Sequence, residues 1–185
     1  MAAAFTAALA TAQIPRPAPD IQFAPVTGGG GRMRLSDFRG KVVVIEFLLT
    51  TCPGCKHSGA ILARLQREYG PRGLQVIGLA VDVGSAARIP VFAAETGALF
   101  PIAAYSDAAA RDFLQAPIML RMSYPQIVII DRKGMLREHF RGEDPRMGPQ
   151  SEEATLRRAI EQLLAENGDT KKGPQRGKKQ DDIRQ

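Results

Sequence analysis

The feature that most constrains the fold is a buried strand pattern that runs directly into a pair of cysteines. Residues 41–50, KVVVIEFLLT, are β-branched and almost continuously apolar, as is typical of a central strand covered on both faces. From Pro53 the apolar residues recur at helical spacing instead, at Ile61, Leu62, Leu65 and Tyr69. The only two cysteines of the chain, Cys52 and Cys55, stand at this change. The sequence therefore predicts a strand–turn–helix unit with both thiols at the start of the helix.

Strands and helices continue to alternate after this unit. Residues 73–82 read as a second buried strand, and residues 100–107 as a short one. Residues 89–97 are predicted as a helix with Pro90 near its start, and residues 107–115 as another helix. This alternation predicts an α/β protein with a mixed central sheet and helices on both of its faces.

The two ends of the predicted domain carry a hairpin each. Residues 21–35 contain four consecutive glycines between two short apolar runs and favour an N-terminal β-hairpin extension. Residues 125–140 favour a second hairpin, with its turn at 131–134. A last helix is expected after Ser151 as N-cap, with two glutamates in its first turn and an apolar stripe behind them.

The predicted domain spans residues 20–167. Residues 1–12 are small and apolar and end in Ala10-Thr11-Ala12, which favours the remnant of an export signal over a disordered end for segment 1–19. The proline-rich residues 15–19 have a linker composition. Segment 168–185 is expected to be a basic disordered tail, since it holds six of the 25 Lys and Arg residues and no apolar periodicity.

Composition excludes several classes of function. The formal net charge is +6, but no aromatic residue is interleaved with the basic tail, so we expect no nucleic-acid partner. The sequence has no apolar run of the roughly 18 residues needed to cross a bilayer. The chain is long enough to bury a core without disulfide staples, so the two cysteines are better explained by chemistry than by stability.

The position of the dithiol predicts its chemistry. The start of a helix offers free N–H groups and a partial positive charge, and both stabilise a thiolate. Pro53 suits the first helical position, because its missing N–H would have been unpaired there. We expect Cys52 at the exposed tip as the attacking sulfur, and Cys55 one turn further in as the sulfur that closes the disulfide.

Three segments resemble the thioredoxin-like redoxins: residues 34–56, RLSDFRGKVVVIEFLLTTCPGCK, residues 73–82 and residues 124–134. Within them, the closest resemblance is to the exported TlpA-type thiol–disulfide oxidoreductases, and it extends over roughly residues 20–165. It implies a thioredoxin fold and dithiol exchange without a cofactor.

The resemblance also implies roles for further residues. Glu46 matches the family's buried carboxylate, and among apolar neighbours its pKa should rise so that it can exchange a proton with Cys55. Pro125 matches the family's cis-proline, which faces the dithiol, and Tyr124 should line the mouth of the site. Thr51, Pro53 and Gly54 should touch the substrate beside the sulfurs.

Three positions depart from the family pattern. Thr51 stands where an aromatic residue usually precedes the first cysteine, and Gln126 where threonine usually follows the proline. The pair Pro53-Gly54 is also uncommon between the cysteines. All three lie beside the dithiol, so they are expected to bear on partner choice and reduction potential.

Alternatives remain for some of these residues. Lys56 and His57 either support the Cys52 thiolate or lie as solvated charges on the helix. The chain could be a peroxiredoxin, although Leu49 and Ile45 replace the Thr or Ser and the Pro of that family. It could also be a redox-silent binding module, or a zinc site in which His57 and His139 join the cysteines.

The expected partners are protein disulfides or dithiols and an upstream thiol–disulfide electron donor. The chain is expected to act as a monomer, without metal or cofactor. An extracytoplasmic bacterial location is favoured, in the periplasm or on a membrane tether before residue 1, and a cytoplasmic one stays open.

Overall fold

The computed structural model describes residues 13–166, and a seven-stranded mixed sheet forms its centre. The strands, in chain order, are β1 (Arg16–Pro17), β2 (Gln22–Phe23), β3 (Pro25–Thr27), β4 (Met33–Arg34), β5 (Val42–Leu48), β6 (Leu74–Ala80), β7 (Ile102–Ala104), β8 (Gln126–Ile130) and β9 (Met135–Arg141). The α-helices are α1 (Pro53–Tyr69), α2 (Ser85–Thr96), α3 (Asp107–Leu114) and α4 (Glu152–Ala165). The order across the sheet is β1-β9-β8-β5-β6-β7-β3, so the predicted α/β class with a mixed sheet is confirmed.

Strand β5 is the central strand, as the sequence predicts. It runs parallel to β6 and antiparallel to β8, and all seven of its residues are buried. Its side chains alternate between the two faces of the sheet. Val42, Val44 and Leu48 pack with α1, α2 and α4, whereas Val43, Ile45 and Phe47 pack with α3. In this alternation Glu46 lies on the same face as Val44 and Leu48. Its side chain therefore points toward α1, which carries the cysteines, and toward the C-terminal helix α4.

The N-terminal extension is only partly the predicted hairpin. β2 and β4 do pair with each other, but β3 between them pairs with β7 and becomes an edge of the main sheet. Gly28, with a φ of +72°, makes this path sterically accessible, because a Cβ there would lie 2.1 Å from the carbonyl oxygen of Phe100. The predicted linker also has a role in the sheet, since β1 pairs with β9 at the opposite edge. Proline suits such an edge, where one side of the strand has no ladder partner.

Helices α1 and α3 and the β8–β9 hairpin lie where the sequence predicts them, but the start of α2 does not. The helix begins at Ser85 rather than Ile89, and Pro90 lies inside it. Hydrogen bonds of Arg88 to Asp82 and to the carbonyl of Val83 hold this first turn and stabilise it without an apolar stripe. Using Pro90 as a marker of the helix start therefore predicts the wrong first residue for α2.

Helix α4 begins after Ser151, but its N-terminus differs from the prediction. The Ser151 hydroxyl donates to the carbonyls of Arg146 and Gly148 and does not cap the helix. Of the two glutamates in the first turn, Glu153 faces the surface and Glu152 is buried. Residues 1–12, which hold the predicted export remnant, and the whole predicted basic tail, residues 168–185, lie outside the described residues.

Candidate active site

Cys52 and Cys55 lie at the start of α1, and both are free thiols. Cys52 is the N-cap residue, its sulfur accepts the backbone N–H of Cys55 at 3.5 Å, and Pro53 occupies the first helical turn. Cys52 is half-buried, while Cys55 is fully buried. The two sulfurs are therefore unequal, with one accessible to a partner and one able to react only with its neighbour.

The surroundings of Cys55 disfavour its thiolate. Burial, and next the charge of Glu46, raise the pKa of the Cys55 thiol well above its ordinary value. The backbone N–H of Leu49 donates to the Cys55 sulfur at 3.4 Å and counteracts part of this rise. Cys55 therefore needs a nearby base before it can attack a disulfide.

Glu46 is the candidate for that base. Its side chain has no exposed area, and among residues 13–166 neither of its oxygens finds a hydrogen-bond partner. Burial, then the charges of Glu152 and Cys52, raise the pKa of Glu46 well above its ordinary value. A carboxyl group in this state can hold a proton at neutral pH and exchange it with Cys55.

The segment before β8 forms the opposite wall of the site. The Tyr124–Pro125 peptide bond is cis, and the Cys52 thiol lies 3.9 Å from the carbonyl oxygen of Tyr124. Gly54 faces the same wall, since a Cβ at this position would lie 3.6 Å from Pro125 Cδ and 3.7 Å from the Cys52 sulfur. The Tyr124 hydroxyl donates to Asp107 at 2.5 Å, so the ring is fixed against the start of α3.

Gln126 fixes this wall from behind. Its amide nitrogen donates to the carbonyl of Ser123 at 2.6 Å, so its oxygen is left to accept from the ring of His139 at 2.7 Å. Burial lowers the pKa of His139 to about 4, so the ring is neutral at physiological pH and donates through Nε2. Gln126, which stands where the family usually has threonine, thus has a hydrogen-bond partner on β9, His139.

A polar network fixes the turn in front of Cys52. Asp82 accepts from the Thr50 backbone N–H at 3.0 Å and from the Thr50 hydroxyl at 2.6 Å, and Arg88 bridges both residues. Burial opposes ionisation of Asp82, but the hydrogen bonds from Arg88 and Thr50 outweigh it and lower the pKa of Asp82. Thr51 and Pro53 are exposed beside this network, at the surface that a partner would meet.

Lys56 and His57 do not support Cys52. Lys56 forms an ion pair with Glu95 of α2 at 2.8 Å. The Nε2 of His57 lies 3.8 Å from Glu152 Oε2, and the ring is 46% exposed. Both side chains thus have carboxylate partners on other helices, a third arrangement beside the two that the sequence left open.

Glu152 is the residue of the site that sequence reasoning missed. Its place in the first turn of α4 predicts only an interaction with the helix dipole, yet its side chain is 5% exposed and lies behind α1 near Ser58. Burial raises the pKa of Glu152, and the nearby Ser58 hydroxyl and His57 lower it in part, although the Ser58 hydroxyl does not reach hydrogen-bond geometry with Glu152. The signal that could have revealed it is its place seven, eight and eleven residues before Ala159, Ile160 and Leu163, close to the apolar stripe.

The structure gives no support for a zinc site. Within residues 13–166 no three Cys, His, Asp or Glu side chains are grouped as ligands, and His139 is engaged with Gln126. In the same residues, no helix has both the length and the apolar character needed to cross a membrane.

Comparison with known proteins identifies the family. The profile of the redoxin family matches residues 15–160, which is most of the chain. The chain belongs to the redoxin family. The predicted enzyme class, a thioredoxin-like thiol–disulfide oxidoreductase, is thereby confirmed at the level of the family.

Individual relatives agree with this assignment. The redoxin chain is 31% identical over 125 residues to the thioredoxin-like protein YneN of Bacillus subtilis, covering 65% of this chain and 67% of that protein. A thiol:disulfide interchange protein from Chlorobium tepidum has a TM-score of 0.67 at 22% identity, covering 82% of this chain and 98% of the other. A thiol:disulfide interchange protein from a Bacteroides species has a TM-score of 0.65 at 17% identity, covering 87% and 97%. These structures show that the fold is shared.

Proposed function

We propose that this redoxin is a reductant of exported protein disulfides that works through the Cys52–Cys55 dithiol. The Cys52 thiolate attacks a substrate disulfide, forms a mixed disulfide and releases one substrate thiolate. Cys55 then loses its proton to Glu46 and attacks the Cys52 sulfur, which closes the Cys52–Cys55 disulfide and releases the second substrate thiolate. Two electrons pass to the substrate, and an upstream dithiol donor returns them by the reverse steps.

The observation that carries the direction of electron flow is the burial of Cys55 beside Glu46. A strongly oxidising redoxin depends on stabilisation of its reduced form, as the low cysteine pKa of such proteins shows. Here burial and the Glu46 carboxylate destabilise a thiolate on Cys55. The reduced form gains no such stabilisation there, which favours a reducing potential.

Two further observations support the substrate class. Cys52 is accessible beside the exposed Thr51, Pro53 and Gly54, so a folded protein or an extended peptide can reach its sulfur. Export rests on the small-residue pattern at 10–12 and on the resemblance of the sequence to the exported TlpA-type oxidoreductases. A Chlorobium tepidum chain with the same fold is named as a candidate thiol:disulfide interchange protein DsbE. The location outside the cytoplasm and the identity of the donor are part of the proposal.

A redox titration tests the proposal. The protein is equilibrated in glutathione or dithiothreitol buffers of known potential, free thiols are alkylated, and the mass is read. We expect one reversible two-electron transition near the reducing end of the thioredoxin-fold range, roughly −270 mV. A transition near roughly −120 mV would instead assign the protein as an oxidant.

Single-cysteine variants serve as controls. C52S should abolish insulin reduction, and C55S should accumulate a mixed disulfide through Cys52. Consumption of hydrogen peroxide at a rate comparable with disulfide exchange would favour the peroxiredoxin alternative. If no disulfide forms at any potential, the redox-silent alternative replaces the proposal.

A further inference from the structure

Four of the buried polar atoms without a hydrogen-bond partner lie in one place. Across residues 13–166 these unpartnered atoms include both oxygens of Glu46, the hydroxyl of Ser58 and Oε1 of Glu152. Buried polar groups are nearly always hydrogen-bonded, so a cluster of exceptions calls for a functional explanation. The three residues come from β5, α1 and α4, which pack on one another behind Cys55.

The cluster contains two carboxyl groups at different depths. Glu46 has no exposed area and the Glu152 side chain is 5% exposed, while the neighbouring His57 reaches solvent. The charge of Glu152 is the strongest influence on Glu46 after burial itself. Glu46 is therefore the deeper carboxyl group, and Glu152 lies between it and the partly exposed His57.

Two buried carboxyl groups that feel each other's charge do not both ionise near neutral pH. Burial acts on both, but more strongly on Glu46, since its pKa is raised well above the ordinary value. The pair should therefore share one proton, held mainly on Glu46, with the charge on the shallower Glu152.

We propose that Glu152 is a positioning residue for proton transfer, which holds the resting proton on Glu46 and connects Glu46 to solvent beside His57. The inference rests on the proposed dithiol function. When Cys55 must become a thiolate, the Glu46 proton moves to Glu152, Glu46 takes the Cys55 proton, and Glu152 releases its own proton to solvent. One proton leaves Cys55, one reaches water, and the pair again holds one. During reduction by the donor, the same protons move in the opposite direction.

Other charged groups near Glu152 have partners of their own. Glu153, one residue on, pairs with Arg64 and Arg157 at the surface. Arg146, on the turn that packs against α4, pairs with Asp144. The titratable groups that face Glu152 are therefore His57 from α1 and Glu46 from β5.

The experiment is a titration of glutamate carboxyl carbons by ¹³C NMR in the oxidised full-length protein. In E152Q the Glu46 midpoint should fall by about one pH unit, because a nearby negative charge has been removed. E153Q is the matched control, since it removes one negative charge from the same helical turn at the surface, and it should leave the Glu46 midpoint unchanged. An unchanged midpoint in E152Q, or an equal shift in E153Q, would overturn the proposal.

The pH profile of disulfide exchange gives the kinetic readout. The limb of the profile that belongs to Glu46 should shift by the same amount in E152Q, and E152Q should change nothing further in an E46Q background. A shift that persists in that background would show that Glu152 does not act through Glu46. If E152Q does not fold, H57Q is used instead. The Glu152 midpoint should then rise, because the charge of His57 that lowers it has been removed. An unchanged Glu152 midpoint in H57Q would overturn the path to solvent beside His57. The NMR titration does not require turnover. A failure of the proposed dithiol function would therefore be seen in insulin reduction and the redox titration, separately from the Glu46 midpoint.

Discussion

A single carboxyl group, Glu46, is expected to govern how the stability of this redoxin depends on pH. Its folded-state pKa is raised above the unfolded value, so between the two values the native state binds more protons than the unfolded chain. The free energy of unfolding must then fall as the pH rises through this window, with a limiting slope of about 1.4 kcal/mol per pH unit. E46Q removes the charge and should flatten this fall, so the variant gains stability relative to wild type as pH increases from 5 to 8.

Urea denaturation at several pH values measures this difference. His139 acts in the opposite direction, since its pKa of about 4 makes stability rise between about pH 4 and 6.5. The comparison of E46Q with wild type removes that common contribution. E153Q is a suitable control, because Arg64 lowers the pKa of Glu153 and its stabilisation is complete above pH 5. A stability gain in E46Q that does not vary with pH would contradict the buried ionisation.

At the scale of elements, the turn between β5 and α1 depends on β6 and α2. Asp82 follows β6 and accepts two hydrogen bonds from Thr50, with Arg88 closing the network. We expect D82A to lower the free energy of unfolding by about 1–3 kcal/mol, because it leaves partly buried donors unpaired. We also expect about tenfold or more faster hydrogen exchange at the Leu49 and Thr50 amides, which lie just before the dithiol.

The matched control for this prediction is D144A. Asp144 is as exposed as Asp82, at 16%, and also pairs with an arginine and a backbone N–H, but on the turn before α4. D144A should cost comparable stability and leave exchange at residues 49 and 50 unchanged. Faster exchange there in both variants would show a global loss of stability in place of a local network.

The sequence predicted the elements whose pattern is local and left out those defined by distant contacts. The strand at 42–48 and the helix from Pro53 follow from apolar periodicity alone. β1, and the place of β3 at the edge of the main sheet, do not follow from the sequence, because runs of two or three residues carry no periodicity and these two pair with the distant strands β9 and β7. The site divides in the same way: the dithiol, Glu46 and Pro125 stand in motifs, whereas Glu152, Asp82 and His139 approach the dithiol region only through tertiary packing.

At the scale of the whole molecule, stability and redox potential are two sides of one thermodynamic cycle. A fold that makes the Cys52–Cys55 pair more reducing than an unfolded dithiol must stabilise the disulfide form more than the dithiol form. The buried Cys55 offers the reduced pair none of the thiolate stabilisation that makes a redoxin oxidising. We therefore expect the oxidised protein to unfold at higher urea than the reduced protein at pH 7.

The size of this difference can be checked against the redox titration, because a shift of 30 mV in a two-electron couple corresponds to about 1.4 kcal/mol. Urea denaturation of the oxidised protein, and of the reduced protein kept in excess dithiothreitol, supplies one side of the cycle. The potentials of the folded protein and of a peptide spanning residues 50–57 supply the other.

The C52S/C55S double variant should unfold close to the reduced form and show no response to dithiothreitol. Greater stability of the reduced form in the wild type would reverse the proposed direction of electron flow.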